Sequence, residues 1–348
     1  MGMKPSDKKI VITWLMTGFF LVFLMVVIGG ITRLTHSGLS MVEWKPVVGV
    51  VPPLNEVQWL IEFEKYKTSP EFIRTNNHFT LSEYKSIYWW EYIHRLLGRI
   101  LGIVFIIPFI IFLIKKIIPK KIIPKIAIVF VLGGLQGFLG WYMVSSGLVK
   151  IPAVSHYRLA AHLSLALLLM MYILWLVLSI YYVDSSKRNK SNKYLKYIVL
   201  TSFAIVVTQI VYGAYTAGLK AGFMYNTYPK MGDSWLPNII SQKIDEIGLL
   251  SLLEYPVTVQ FIHRWLGTFL FMFISGLFFF RNKFSLSQNQ LLGLKAVVLS
   301  VFGQFLLGVF TLVLFVPTSI AVLHQAGAVV VLSCFIFFVY HLYYNDSY

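Results

Sequence analysis

The 348-residue chain contains a single cysteine, Cys334, which excludes an internal disulfide framework and any CxxC metal site. Charge is scarce: Asp, Glu, Lys and Arg make up 13% of the residues, too few to cover the surface of a soluble domain. Acids are rarer still, 14 against 30 Lys and Arg. Neither a flavin-binding nor an iron–sulfur motif is present, so any redox chemistry needs its electrons from elsewhere. What the chain has in quantity is apolar sequence: 57% of its residues are hydrophobic and its mean hydropathy is +0.73. That is the profile of a polytopic membrane protein. The net charge of +16 does not point to nucleic acid, because the cations lie in short clusters between apolar runs, where membrane topology accounts for them.

Eight apolar runs are long enough to cross a bilayer, which takes about 20 residues. They fall near 10–31, 91–114, 126–146, 157–182, 195–217, 256–280, 291–315 and 321–343. The first is too long for a signal-peptide core and is read as a span. Cations sort to alternate connections. Lys4, Lys8 and Lys9 precede span 1; Lys115, Lys116, Lys120, Lys121 and Lys125 follow span 2. Lys187, Arg188, Lys190, Lys193 and Lys196 follow span 4, and Arg281, Lys283 and Lys295 follow span 6. Glu43, Glu56, Glu62, Glu64, Glu71 and Glu83 lie in the first outer loop, with Asp233, Asp245, Glu246 and Glu254 in the third. The expectation is a multi-pass protein with both termini in the cytoplasm. With no transit segment, a bacterial plasma (inner) membrane is expected.

The chain also repeats itself. "YIHRLLG" at 92–98 returns as "FIHRWLG" at 261–267, so that His94 and His263 are 169 positions apart (263 − 94). Gln136 and Gly140 match Gln304 and Gly308 at an offset of 168 (304 − 136). Thr32 and Gly38 match Thr216 and Gly222 at 184 (216 − 32). The expected fold is therefore all-α, with eight transmembrane helices arranged as two tandem four-helix bundles. Residues 1–190 form one half and 191–348 the other. A unit with an even number of spans keeps its orientation, so the halves are expected to be related by a pseudo-two-fold along the membrane normal. The first outer loop is about fifteen residues the longer (184 − 169). Within it, "NEVQWLIEFEKYK" places Val57, Leu60, Ile61 and Phe63 near one face of a surface helix on the outer leaflet.

The repeat filters the eight histidines. His94 pairs with His263, and His162 with His324; His36, His78, His156 and His341 have no counterpart. The four survivors lie at matched depth near the outer ends of even-numbered spans, two in each half. Two histidines per four-helix unit suit one planar metal cofactor ligated from both faces, and haem in a helical bundle fits. Zinc wants three or four ligands. Arg95 and Arg264 follow two of these histidines and are candidate partners for carboxylates, with interfacial snorkelling as the alternative. The Q-x-x-x-G pairs Gln136/Gly140, Gln209/Gly213 and Gln304/Gly308 read as close-packing sites. Glu91, three residues before His94 on the same helix face, has Gln260 as its counterpart. A partly desolvated acid written only once suits proton transfer; the alternative is a carboxylate neutralised by Arg95 or Arg99.

"GGITRLTHSGLSMVEWKPVVGVVPP", "WWEYIHRLLGR", "SHYRLAAHLSLAL", "YNTYPKMGDSWLP" and "VQFIHRWLGTF" closely resemble the heme A synthase family, in its alphaproteobacterial and mitochondrial branch. The resemblance runs from about Gly29 to His324. It implies an oxidoreductase that converts the C8 methyl of heme O to a formyl group by two successive hydroxylations, with loss of water from a gem-diol, giving heme A for terminal oxidases. It implies heme b as cofactor in the C-terminal half, with His263 and His324 as iron ligands and Arg264 beside them. It implies substrate heme in the N-terminal half on His94 and His162 with Arg95, and Glu91 as the catalytic acid. Both heme sites are expected toward the periplasmic side. The partners implied are heme O, heme O synthase, an electron donor (a ferredoxin-like protein or a quinol) and membrane lipid; an oligomer is compatible with the sequence. Other branches carry cysteine pairs in the outer loops, which this chain lacks. A di-heme electron-transfer cytochrome and a heme transporter or chaperone share the histidines and are the rival readings.

Overall fold

The computed structural model describes residues 3–43, 48–148, 152–182 and 192–344. Lys187, Arg188 and Lys190 of the cation clusters lie outside the described residues, as do Trp44, Lys45 and Pro46 of the longest motif. The eight expected spans appear as helices long and apolar enough to cross a membrane. They are α1 (Pro5–Leu34), α3 (Leu81–Ile114), α4 (Ile123–Ser145), α5 (His156–Tyr181), α6 (Lys193–Gly218), α9 (Pro256–Phe279), α10 (Gln288–Val313) and α11 (Thr318–Tyr343). Between them lie α2 (Glu56–Lys67) in the first outer loop, and α7 (Asn238–Ile247) and α8 (Ser251–Glu254) in the third. No strand is present among the described residues.

Local chemistry sets the helix starts. Pro5 and Pro256 stand in first turns, where the missing N–H costs nothing. Thr80 with Glu83, and Ser287 with Gln290, form reciprocal capping boxes at the starts of α3 and α10. The Thr80 box starts α3 ten residues before the apolar run begins at Glu91. The extra turns carry Tyr84, Ile87 and Tyr88, which are buried against Trp59, Phe63 and Tyr66 of α2. Phe63 and Tyr66 both stack on Tyr84, and Trp59 meets Tyr88 edge-on at 5.0 Å between centroids. Pairs of this kind add about 0.5–1.5 kcal/mol each beyond their buried area. The surface helix is where the sequence puts it, but its faces divide differently. Phe63 turns inward with Trp59, while Val57, Leu60 and Ile61 are exposed. The aromatic ladder of α3 decides which side of α2 is covered.

The described chain forms two compact units. One is built from Thr17–Ala166 with the residues up to Asp7; the other from Lys8–Met16 with Leu167 onward. His94 and His162 belong to the first, His263 and His324 to the second. In the second unit α10 packs along α11, and α6 along α9.

Candidate functional site

Each of the four repeated histidines rests on a glycine of a neighbouring helix. A β-carbon added at Gly29 of α1 would stand 3.1 Å from Cε1 of His94. At Gly140 of α4 it would stand 3.1 Å from Cε1 of His162, at Gly213 of α6 3.1 Å from that of His263, and at Gly308 of α10 2.9 Å from that of His324. The glycines hold to the offsets of the repeat: 184 between Gly29 and Gly213, 168 between Gly140 and Gly308. A side chain at any of them would force the ring to give way. Each of the four histidines is partly buried. Nδ1 of His94, His162 and His324 is buried without a hydrogen-bond partner, and that of His263 lies 3.2 Å from the Gln209 carbonyl.

In the second unit the rings of His263 and His324 have centroids 6.4 Å apart and planes at 84°. An imidazole centroid lies roughly 3 Å from a metal bound at about 2 Å, so trans-axial rings stand roughly 6 Å apart. The pair fits an iron between two imidazoles. Among the described residues no three His, Cys, Asp or Glu side chains gather into a metal cluster. Paired rings and glycine hollows suit a planar iron porphyrin.

Three of the four histidines have a second tether. One turn before the glycine, a glutamine donates its side-chain N–H to the histidine's own backbone carbonyl: Gln136 to His162 at 3.0 Å, Gln209 to His263 at 2.9 Å, and Gln304 to His324 at 2.8 Å. A carbonyl can only accept, which fixes the amide orientation. The fourth position, one turn before Gly29, is Met25.

Above the histidines each half straps an extended segment to its helix. In the first unit, Arg95 donates to the carbonyls of Met41 and Glu43, both at 3.1 Å, and forms an ion pair with Glu91. The other Glu91 oxygen accepts from the Ser40 hydroxyl at 2.7 Å and the Met41 N–H at 2.9 Å. Lys65 of α2 adds a salt bridge to the Glu43 carboxylate at 3.0 Å. In the second unit, Arg264 donates to the carbonyls of Tyr225, Thr227 and Lys230 at 3.1, 2.8 and 2.7 Å, and Gln260 donates to Tyr225 at 3.0 Å. Tyr225 and Thr227 are the 184-offset counterparts of Met41 and Glu43. One strap is thus built twice. The acid version accepts from the segment's N–H and balances the arginine; the amide version donates to a carbonyl and leaves the arginine's charge unbalanced by any carboxylate among the described residues.

The first strap has a buried acid beside it. Glu71 accepts from the Tyr66 hydroxyl at 3.0 Å, and that hydroxyl accepts from Asn76 at 2.8 Å. Burial, aided by the nearby Glu91 charge and opposed by the Tyr66 hydrogen bond, raises the Glu71 carboxyl to about 7.

The structure thus brings Glu91 to Arg95 as one of the two readings had it, and pairs His263 with His324. Of the unrepeated histidines, His36 is exposed, and His341 packs against Tyr182, Phe337 and Tyr340. Sequence reasoning missed Gly29, because Met25 breaks the Q-x-x-x-G pattern there; the 184 offset from Gly213 was the signal that could find it. It also missed Ser40 and Met41.

A multi-pass helical membrane protein with two pairs of glycine-backed histidines is of the class that binds heme between its helices. The chain belongs to the COX15-CtaA family, cytochrome oxidase assembly protein, whose model matches residues 12–336. It is 46% identical over 332 residues to a heme A synthase of Flavobacterium psychrophilum, covering 94% of this chain and 96% of the relative. It is 43% identical to a heme A synthase of Flavobacterium johnsoniae, covering 98% and 99%. A heme A synthase of Paramagnetospirillum magneticum is 42% identical, covering 93% and 91%.

Proposed function

We propose that the protein is a membrane oxidoreductase that oxidises the C8 methyl of heme O to the formyl group of heme A, serving oxidase assembly. Two hydroxylations, each taking one oxygen atom from dioxygen while the other leaves as water with two electrons from the donor and two protons, take the methyl to a gem-diol, which loses water to leave the aldehyde. The observation that carries this reading is a duplicated histidine scaffold in which one half alone holds an acid. His263 and His324 would hold heme b, whose iron would supply redox chemistry; Arg264, with no carboxylate to balance it among the described residues, would offer its charge to a heme propionate. His94 and His162 receive the substrate heme, with Arg95 beside it. The halves divide as 1–190 and 191–348, as tandem four-helix bundles about a pseudo-two-fold along the membrane normal.

Glu91 is the catalytic acid in this reading, three residues from His94 and close enough to exchange a proton near the substrate once its ion pair opens. The ion pair with Arg95 favours a second reading, in which Glu91 acts through the strap by holding Ser40, Met41 and Arg95 in place. Heme O synthase upstream and an electron donor, a ferredoxin-like protein or a quinol, complete the set of partners. Both termini lie in the cytoplasm of a bacterial plasma membrane with the heme sites toward the periplasm. The cation sorting supports this, and reporter fusions after Glu71 and at Tyr182 should report opposite sides; the same side for both would overturn it.

The deciding experiment is extraction of hemes from membranes expressing the chain, followed by reversed-phase chromatography in a host that makes heme O. Formylated or hydroxylated heme is expected. Heme b alone would identify an electron-transfer cytochrome instead, and a washable, variable heme load a transporter.

A further inference from the structure

The tethers around the histidines are equal at three positions and missing at the fourth. Gln136, Gln209 and Gln304 each bridge from one helix to the backbone carbonyl of the histidine on the next. Met25 stands in the corresponding place against His94. It is 184 positions before Gln209 (209 − 25), one turn ahead of Gly29 as Gln209 is of Gly213. The space is the same as well. A β-carbon at Gly267, four residues after His263, would stand 2.9 Å from the Gln209 amide nitrogen; one at Gly98, four residues after His94, would stand 3.7 Å from Cε of Met25. Both side chains fill the same hollow. A thioether has no N–H and cannot donate to the His94 carbonyl.

We infer that Met25 is a positioning residue that leaves the α1–α3 wall of the His94 site without the glutamine tether, so that the substrate heme shared by His94 and His162 exchanges while the heme between the two tethered histidines of the other half, His263 and His324, is retained. The inference rests on the proposed assignment of the substrate to the His94 half. A substrate site must open once per turnover, whereas a resident cofactor must not leave. In the interior of a helix bundle, a carbonyl–amide bond between two helices must break before they part. Met25 fills the hollow by dispersion alone, so α1 and α3 part there by breaking the long 3.4 Å contact of the Thr32 hydroxyl with the Trp90 carbonyl and no glutamine tether. One added hydrogen bond of this kind alters a rate or an equilibrium about two- to tenfold.

The test follows heme transfer from the purified full-length protein, as isolated with its hemes, to excess apomyoglobin. The wild-type protein should lose heme in a fast and a slow phase, the fast phase being absent from His94→Ala. Met25→Gln should slow the fast phase about two- to tenfold and leave the slow phase as it was. Gln209→Met should do the reverse and speed the slow phase. Met25→Leu, which adds no donor, should keep the fast phase within about twofold of wild type. A fast phase that depends on His94 but is unaltered by Met25→Gln overturns the inference. A fast phase that survives His94→Ala and vanishes in His263→Ala overturns the assignment of the halves instead.

Discussion

Glu91 and Arg95, one turn apart on α3, form an ion pair closed by the Met41 and Glu43 carbonyls on the arginine side and by Ser40 and the Met41 N–H on the acid side. This arrangement sharpens the expected outcome of Glu91→Gln. The amide keeps the volume and can still accept from Met41, and Gln260 shows that this scaffold tolerates glutamine. The protein should fold, keep its heme b spectrum and lose heme A formation. A general acid–base group is worth about 10²- to 10⁴-fold. Limited proteolysis separates the two roles of Glu91. Lost product with the 37–43 segment still protected assigns the loss to the proton; lost product with that segment cut faster assigns it to the strap. Near-normal heme A would refute both.

The histidine pairs predict unequal consequences for four similar substitutions. On the proposed assignment, His263→Ala or His324→Ala would remove an iron ligand and should strip the retained heme b, seen as loss of its Soret absorbance after purification. His94→Ala or His162→Ala should leave most of that absorbance and abolish heme A. If all four variants lose heme b equally, the division of labour between the halves is wrong.

How much of this was legible beforehand depends on what kind of group makes the contact. The histidines, Glu91 and the eight spans stand out because side-chain identity and hydropathy carry them, and the 184, 168 and 169 offsets carry the repeat. The straps are held largely by backbone carbonyls of Met41, Glu43, Tyr225 and Thr227, which every residue possesses, so no pattern of residue types announces them. The start of α3 was misplaced for a related reason. Hydropathy marks where a helix turns apolar, at Glu91, whereas the helix begins at the Thr80 cap. The inward turn of Phe63 depended on the aromatic residues of α3 across from it, which periodicity within α2 cannot register.

The first outer loop should be sensitive to pH through Glu71. Its carboxyl is held near 7 in the folded loop, above the ordinary 4.5. The folded form therefore binds a proton more tightly than the unfolded one, and stability falls as pH rises from about 4.5 through about 7, then levels. The full effect is roughly 3 kcal/mol, confined to α2 and the segment after it. Amide exchange of residues 56–76 should be slower at pH 5 than at pH 8 after correction for intrinsic exchange rates. Glu71→Gln should flatten that dependence while keeping the contact with Tyr66. A wild-type loop whose corrected exchange is unaffected by pH would show that Glu71 ionises without cost.

The glycine hollows make the most direct prediction about the resident heme. At Gly308 an added β-carbon would come within 2.9 Å of Cε1 of His324, and at Gly213 within 3.1 Å of that of His263. In a protein without heme the ring could rotate away at modest cost, since overpacking by one methyl group typically costs about 1–3 kcal/mol. A ring bound to iron cannot retreat from the added methyl without straining that bond. Gly308→Ala should therefore express and insert normally but retain heme b poorly, and the heme that remains should show a shifted reduced α-band. Gly213→Ala should act in the same direction and more weakly, as its contact is longer. Gly276 lies on the same bundle with nothing within 4 Å of an added β-carbon. Gly276→Ala is thus the control for helix propensity alone, and it should keep full heme b. If Gly308→Ala retains heme b as well as Gly276→Ala does, the ring of His324 is free to move, and its role as an axial ligand fails.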